Sequence, residues 1–447
     1  MSRPLRICFL AYRGYMRSGG QGIYLWFLAR ELAALGHRVD VIVGPPYPDP
    51  LPFACEVVEL PNQQFWGKRF DPDPAALLPR PDPFRIFEPL NFYELAATQF
   101  GFLPEPFAFS VRAFRAIARR LRAGIRYDLV HDVQTLGWGL LAVRALGLPA
   151  LTTIHHPLSV DRRASFARDQ SLREALGTME FYPVGMQAFV ARRLERVLTS
   201  SEASANEIAH DFGVRRARLR MVWNGLDTTL FRPLPEVARG ASELLCVARA
   251  SDPNKGVVGL IDALARLPNE TTLTLVDEDS RQNPARLRAQ ALGCGSRLQI
   301  VGRVDNEALV RLYNRAALVV VPSRYEGFGL PAAEAMACGT PVVACAAGAL
   351  PEVLAIGGGG RLVPPGDPEA LAKEIGRLLE QPAVRAELGS RGRAGVIRAF
   401  AWPRVAEATV AVYREVLAER AGRRRGRPAR ITTSASDGSA RASAPSA

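Results

Sequence analysis

The stretch PSRYEGFGLPAAEAMACGTPVV, Pro322 to Val343, places Glu326 in a polar, glycine-bearing half and Glu334 in a half rich in helix formers. Glycoside hydrolysis sets two carboxylates on opposite sides of one bond. Here one glutamate falls on a loop and the other on the inner face of a helix expected to start near Pro331, since proline suits a first helical position. The amides of Phe328, Gly329 and Leu330 would then project from a helix N-terminus, which attracts anions. A loop carboxylate can accept hydrogen bonds from sugar hydroxyls, and one a turn inside the helix can accept both hydroxyls of a ribose. With phosphates on the amides between them, these parts match a nucleotide sugar in order. No metal-ligand spacing accompanies them.

Three further groups could join this chemistry. In CVARASDPNKG, Arg249 ends a strand and Lys255 follows six residues on, before a helix. Two cations at the C-terminal edge of an open sheet, where such sheets bind ligands, could neutralise a diphosphate leaving group. Singly they read as solvated surface charges; beside the glutamate loop they read as a site. In SGGQG, Ser18 to Gly22, the glycines Gly19 and Gly20 would let the backbone approach a phosphate closely. The spacing is not the dinucleotide fingerprint, and a tight turn explains it equally. In TTIHHPLSV, His155 and His156 follow a strand end. Adjacent side chains on an extended segment point apart, which disfavours a metal. A histidine there either caps the sheet or hydrogen-bonds a transferred sugar or incoming hydroxyl.

The elements that must carry these groups alternate. LRICFLAY, RGYMRSGGQG, IYLWFLARELAALG and HRVDVIV read as strand, loop, helix and strand, the start of an open α/β sheet. Further strands are expected at Leu129–His131, Ala150–Ile154, Val197–Thr199 and Leu219–Trp223. After the turn-rich NGLDTTLFRPLPEVARG the alternation restarts at ELLCVARA and continues through TLTLVDE, LQIVGRV, ALVVVPS and PVVACA. The expected fold is α/β with two doubly wound domains: residues 1–224, a linker 225–242, and residues 243–400, followed by a crossover helix 401–420 and a disordered basic tail 421–447. Between Pro45 and Phe109, a stretch holding 14 of the 34 prolines and 10 of the 20 phenylalanines, the alternation fails. That excursion reads as loops and short helices, either a lid or a surface for a lipid-like or aromatic acceptor. In SVRAFRAIARRLRA, Val111, Phe114, Ile117 and Leu121 share one face and arginines surround the others, as in a surface helix or a membrane-surface helix.

Composition excludes several classes. A chain of 447 residues with 48% apolar content supports two cores. No apolar run approaches the roughly 20 residues that span a bilayer, and six apolar residues before Arg13 are too few for a signal-peptide core. The six cysteines are scattered without a Cys-x-x-Cys pair, as expected of reduced thiols in the cytoplasm. The net charge of +13 owes nearly half its excess to residues 420–447, with seven arginines and one aspartate, so no nucleic-acid partner is expected.

The chain resembles the retaining nucleotide-sugar transferases of glycosyltransferase family 4, with the two-Rossmann-domain GT-B fold. NGLDTTLFRP, VARASDPNKG, the run from LQIVGRV to TPVVAC with its glutamate-x7-glutamate element, and GALPEVL with GGGGRLVPPGDPEALAKEI carry the resemblance. FAWPRVAEATVAVYREVL resembles the family's terminal helices, which cross back to the N-terminal domain. The resemblance implies that Glu326 contacts the donor sugar, Glu334 the ribose, Arg249 and Lys255 the diphosphate, and Gly20 the phosphate from the opposite domain. It makes His155 the active-site histidine, with His156 as the alternative register, and sets the base near Arg303 and Val304. It implies a UDP- or GDP-sugar donor, no cofactor or metal, and transfer with retention to an acceptor hydroxyl on a glycan, glycolipid or small molecule, with peripheral membrane contact open. A phosphorylase or epimerase on the same fold, or a non-catalytic sugar-nucleotide-binding protein, are the alternatives. Two departures stand out: DEDSRQNP follows the TLTLV strand in place of the family's glycine-rich loop, and the proline-phenylalanine excursion is long.

Overall fold

A computed structural model describes residues 3–15, 20–62, 73, 77–79, 81–155, 157–166 and 183–425. Gly19, His156 and the tail beyond residue 425 therefore lie outside the described residues.

Strands β1 (Arg6–Ala11), β2 (Arg38–Val43), β3 (Glu56–Glu59), β4 (Leu129–Val133), β5 (Ala150–Ile154), β6 (Val197–Thr199) and β7 (Leu219–Met221) form one sheet. Its order is β3-β2-β1-β4-β5-β6-β7, and every pairing is parallel. Its helices are α1 (Gly20–Ala34), α2 (Pro89–Gln99), α3 (Glu105–Arg122), α4 (Gly139–Ala145), α5 (Leu158–Phe166), α6 (Val184–Ala191) and α7 (Glu202–Phe212). The central strands read as unbroken apolar runs because helices cover both faces of a parallel sheet; β1, RICFLA, is buried at every position after the first.

The second sheet comprises β8 (Glu243–Val247), β9 (Thr272–Val276), β10 (Leu298–Val301), β11 (Leu318–Val321), β12 (Val342–Cys345) and β13 (Gly360–Val363). The order is β10-β9-β8-β11-β12-β13, again parallel throughout. Helices α8 (Val257–Leu264), α9 (Pro284–Ala291), α10 (Asn306–Arg315), α11 (Leu330–Ala337), α12 (Leu350–Gly357), α13 (Pro368–Leu379) and α14 (Pro382–Phe400) enclose it. Each sheet thus has apolar clusters on both faces. Strand order reverses between β1 and β4 and again between β8 and β11, the switch points at which open α/β sheets leave a ligand crevice.

A final helix, α15 (Trp402–Arg425), crosses back to the first sheet. Trp402 stacks on Phe27 of α1 with ring centroids 5.4 Å apart, and the fully buried Tyr413 meets His131 Nδ1 at 2.6 Å through its hydroxyl. Arg196 and Arg220 both donate to Glu415, and their hydrogen bonds hold its carboxyl well below the usual carboxylate range. Gly225, at the crossing, leaves no room for a side chain: a Cβ there would lie 2.1 Å from the Trp402 ring.

Two edge strands, β3 and β13, were not expected from the sequence. β3, EVVE, is exposed at three of its four positions and β13, GRLV, at two, so neither shows the apolar run of a buried strand. The expected strand at Leu219–Trp223 ends at Met221. Apart from β3, the proline-phenylalanine excursion contains a short 3-10 helix, Pro83–Phe87, then α2 and the start of α3. On α3, Ile117 is fully buried and Phe114 and Leu121 pack partly on the core, as their spacing implies.

Candidate active site

The second sheet's switch point gathers the expected charged residues. Asp252 caps a single 3-10 turn, Pro253–Lys255, by accepting from the Asn254 amide, and Gly256 ends the turn at φ 64°. Only glycine fits there, since a Cβ would lie 2.1 Å from the Pro322 carbonyl beyond β11. That close approach brings Lys255 beside the glutamate loop, and its Nζ lies 2.7 Å from Glu326 Oε1. Ser323 Oγ donates to the same carboxylate oxygen at 2.9 Å. The Glu326 side chain is only 12% exposed, whereas that of Lys255 is 32% exposed and open to a ligand.

The loop behind Glu326 is held by the start of α12. The Ala349 amide donates to the Glu326 carbonyl at 2.9 Å, and a Cβ on Gly348, at φ 55°, would sit 2.2 Å from that carbonyl. Gly329 precedes α11 at φ 89°, Pro331 occupies the first turn, and Phe328 is buried against Trp223 and Phe400. Among the described residues no acceptor meets the amides of Phe328, Gly329 or Leu330, so they remain available to an anion.

Glu334 lies half-buried on α11 and accepts from the Tyr313 hydroxyl at 2.6 Å. Burial pushes its carboxyl up to about 7, against the downward pull of that hydrogen bond. Arg249 is exposed and lines a cavity of about 910 Å³ with Ser251, Asp277, Glu278 and Arg303. Val304, half-buried, follows Arg303 but does not line it. The DEDSRQNP segment has a structural duty: Asp277 Oδ2 accepts from the Ala250 amide at 2.8 Å and from Asn283 Nδ2 at 2.9 Å, fixing the backbone next to Arg249.

On the first sheet, His155 follows β5. Its Nδ1 lies 3.1 Å from Asn224 Oδ1, and its amide donates to Gln134 Oε1 at 2.9 Å. With Asn224 Oδ1 as acceptor, Nδ1 carries the proton and Nε2 the lone pair. Tyr24 of α1 packs edge-on against the ring at 4.7 Å. Behind it, Tyr24 and His131 both contact the Thr153 hydroxyl, and burial lowers the His131 pKa to about 3, leaving it neutral. Gly20 opens α1 at the same edge of the sheet.

Sequence reasoning missed the residues that join the two halves. Ser201 and Ser204 lie 3.1 and 3.3 Å from the Gly327 carbonyl, and Ser200 and Ser204 also approach the His155 carbonyl. Asn224 alone had a signal, since it opens NGLDTTLFRP; polar side chains that contact across domains leave no local period.

The model described as "Glycosyl transferases group 1" matches residues 235–395, and that described as "Glycosyltransferase Family 4" matches residues 18–230. An "MMP alpha-(1->4)-mannosyltransferase" of Mycolicibacterium hassiacum is 39% identical over 93% of this chain and 99% of its own length. The chain belongs to glycosyltransferase family 4. A "D-inositol 3-phosphate glycosyltransferase" of Acidothermus cellulolyticus is 31% identical, covering 90% of this chain and 87% of that protein. Among solved structures, sucrose-phosphate synthase from Thermosynechococcus elongatus superposes with a TM-score of 0.67 at 27% identity, over 93% of this chain and all of that one. This family-4 chain is therefore a glycosyltransferase with the GT-B fold, and its two sheets are the two Rossmann-like halves.

Proposed function

We propose that the protein moves a sugar from a UDP- or GDP-sugar to an acceptor hydroxyl with retention at the anomeric carbon and without a metal. The observation that carries this reading is the Lys255–Glu326 ion pair at the switch point between β8 and β11, with the α11 amides on the same loop as Glu326 and Arg249 on the loop that leads to Lys255. In it, Glu326 reads the sugar hydroxyls, Glu334 the ribose diol, and the amides before α11 hold the phosphates. Arg249 and Lys255 neutralise the charge that grows on the diphosphate as it leaves. The base occupies the cavity beside Arg249 and Arg303, and Gly19 and Gly20 approach the phosphates from the first domain. The bond from the anomeric carbon to phosphate oxygen breaks as the bond to the acceptor oxygen forms on the same face. The acceptor proton passes to the leaving phosphate, and His155 orients the sugar or the incoming hydroxyl. The name of the 39% identical relative makes mannosyl transfer in an α-(1→4) linkage the first reaction to assay.

The decisive experiment is transfer from UDP- and GDP-sugars by wild type and by Glu326→Ala. Loss of transfer in a folded variant supports the reading; unimpaired turnover refutes it.

A second reading places the enzyme in the cytoplasm, touching the inner membrane face. Among the described residues no helix is long and apolar enough to cross a membrane. Phe84, Phe87, Phe92, Phe100 and Phe102 are, however, 77, 74, 56, 72 and 45% exposed, all within one stretch of the first domain. Beside them Arg115, Arg119 and Arg122 of α3, with Arg85 and Arg112, line a cavity of about 740 Å³. Exposed rings beside a cationic face fit an anionic lipid surface. Sedimentation with anionic but not zwitterionic vesicles supports this contact; no sedimentation with either refutes it.

A further inference from the structure

Helix α7 belongs to the first domain, yet its first turn is completed by the second. Glu352, in the first turn of α12, accepts from the Glu202 amide through Oε2 and from the Ala203 amide through Oε1, both at 2.8 Å. A carboxylate on two orphan amides at a helix N-terminus is favoured by hydrogen bonding and by the helix dipole together. The helix also has its own cap: Ser201 Oγ accepts from the Ser204 amide at 3.0 Å. Glu352 is therefore an addition from across the cleft.

The same turn holds both sides of the site. The hydroxyls of Ser200, Ser201 and Ser204 lie 3.3, 3.1 and 3.3 Å from the Gly327 carbonyl, and those of Ser200 and Ser204 lie 3.5 and 3.4 Å from the His155 carbonyl. Three hydroxyl protons can be shared between two carbonyls, each with two lone pairs, without leaving a donor idle. Gly327 is the neighbour of Glu326, and the Glu326 carbonyl is fastened to the start of α12 by Ala349. One helix, α12, thus grips the glutamate loop through its backbone and α7 through Glu352, while α7 grips both Gly327 and His155. Any parting of the two sheets must break both Glu352 bonds and the serine bonds to Gly327.

We propose that Glu352 and Ser201 are positioning residues that fix the distance between His155 on the acceptor side and Glu326 on the donor side, so that domain closure and site assembly become one event. This rests on the donor seat proposed above. Neither residue touches the sugar. Their effect is to hold the reacting groups in one geometry, where small misplacements are costly in rate.

The test uses the full chain and hydrolysis of UDP-glucose and GDP-mannose, a reaction that needs no acceptor. Glu352→Ala should lower kcat about tenfold, with the Kd for UDP or GDP unchanged within about twofold. Glu352→Gln, which keeps the volume and one acceptor oxygen, should lose less. Ser201→Asp keeps the cap of α7 but cannot donate to the Gly327 carbonyl, and should be as slow as Glu352→Ala. Ser201→Thr keeps both functions and should restore turnover. Small-angle scattering with UDP or GDP bound should show a larger radius of gyration for Glu352→Ala than for wild type. Wild-type kcat in Glu352→Ala, a fall in kcat matched by an equal fall in nucleotide affinity, or Ser201→Thr as slow as Ser201→Asp would each overturn the proposal. If wild type hydrolyses neither donor, the functional reading fails instead, and equal radii of gyration in the scattering arm would then overturn the latch by themselves.

Discussion

The two domains build their halves of the site in opposite ways. In the second, charged side chains from adjacent loops meet at one switch point, with Lys255 on Glu326 at 2.7 Å, and Arg249 lines a cavity of about 910 Å³. In the first, the groups gathered at the end of β5 are neutral and drawn from distant segments: His155 held by Asn224 and Gln134, with Tyr24 packed on its ring. A diphosphate is a strong anion of fixed geometry, and fixed cations and helix amides are what hold it. An acceptor hydroxyl is neutral, so it is read by shape and single hydrogen bonds spread over many residues.

The largest effect on this contrast should come from Lys255→Ala. Removing the cation takes away charge stabilisation that grows in the transition state, and kcat should fall about 10²–10³-fold, measured as nucleotide release from the donor sugar. It also leaves the nearly buried Glu326 without its ion pair, so Lys255→Ala should cost more than the charge-conserving Lys255→Arg. On the acceptor side, His155→Ala removes one hydrogen-bonding ring and should lower turnover by about 10–30-fold, with nucleotide affinity kept. A loss as deep as that of Lys255→Ala would make the histidine the chief catalytic group and erase the contrast.

A smaller, pH-dependent effect belongs to Glu334. Its carboxyl is raised to about 7, so it is ionised above that pH and protonated below it. If the carboxylate reads the ribose, donor affinity should weaken by about fivefold as pH falls from 8 to 6, and Glu334→Gln should abolish that dependence. Calorimetric Kd values across that range decide the matter; a pH-independent Kd in wild type removes Glu334 from the donor seat. The smallest effect is expected at the outer surface of the excursion. Phe84 is 77% exposed, so Phe84→Ser should leave stability within about 0.5 kcal/mol and turnover unchanged, while weakening vesicle binding.

How much of this was legible in sequence follows from the same physics. Parallel strands covered on both faces become continuous apolar runs, so β1, β2 and β8 were readable, whereas the solvated edges β3 and β13 were not. The residues proposed for the donor seat stood out in sequence because they lie in short contiguous motifs that follow strands. Their pairing was less legible: the sequence suggested separate duties for Lys255 and Glu326, and their contact depends on Gly256 packing against the Pro322 carbonyl. The contacts of Ser201 and Glu352 were invisible, because each residue also reads as an ordinary occupant of its own helix start. Asp277 shows the same limit, since a segment that looked like a departure proves to be a brace for the backbone beside Arg249.

The central claim is that Arg249 and Lys255 of the second domain carry the charge that seats the donor's diphosphate. Isothermal titration of UDP and GDP into wild type and the Arg249→Ala/Lys255→Ala double variant tests it most directly. The account predicts a Kd weakened by about 10²-fold or more for whichever nucleotide wild type binds, in a variant whose circular dichroism shows it still folded. A nucleotide bound equally well by both proteins would contradict it.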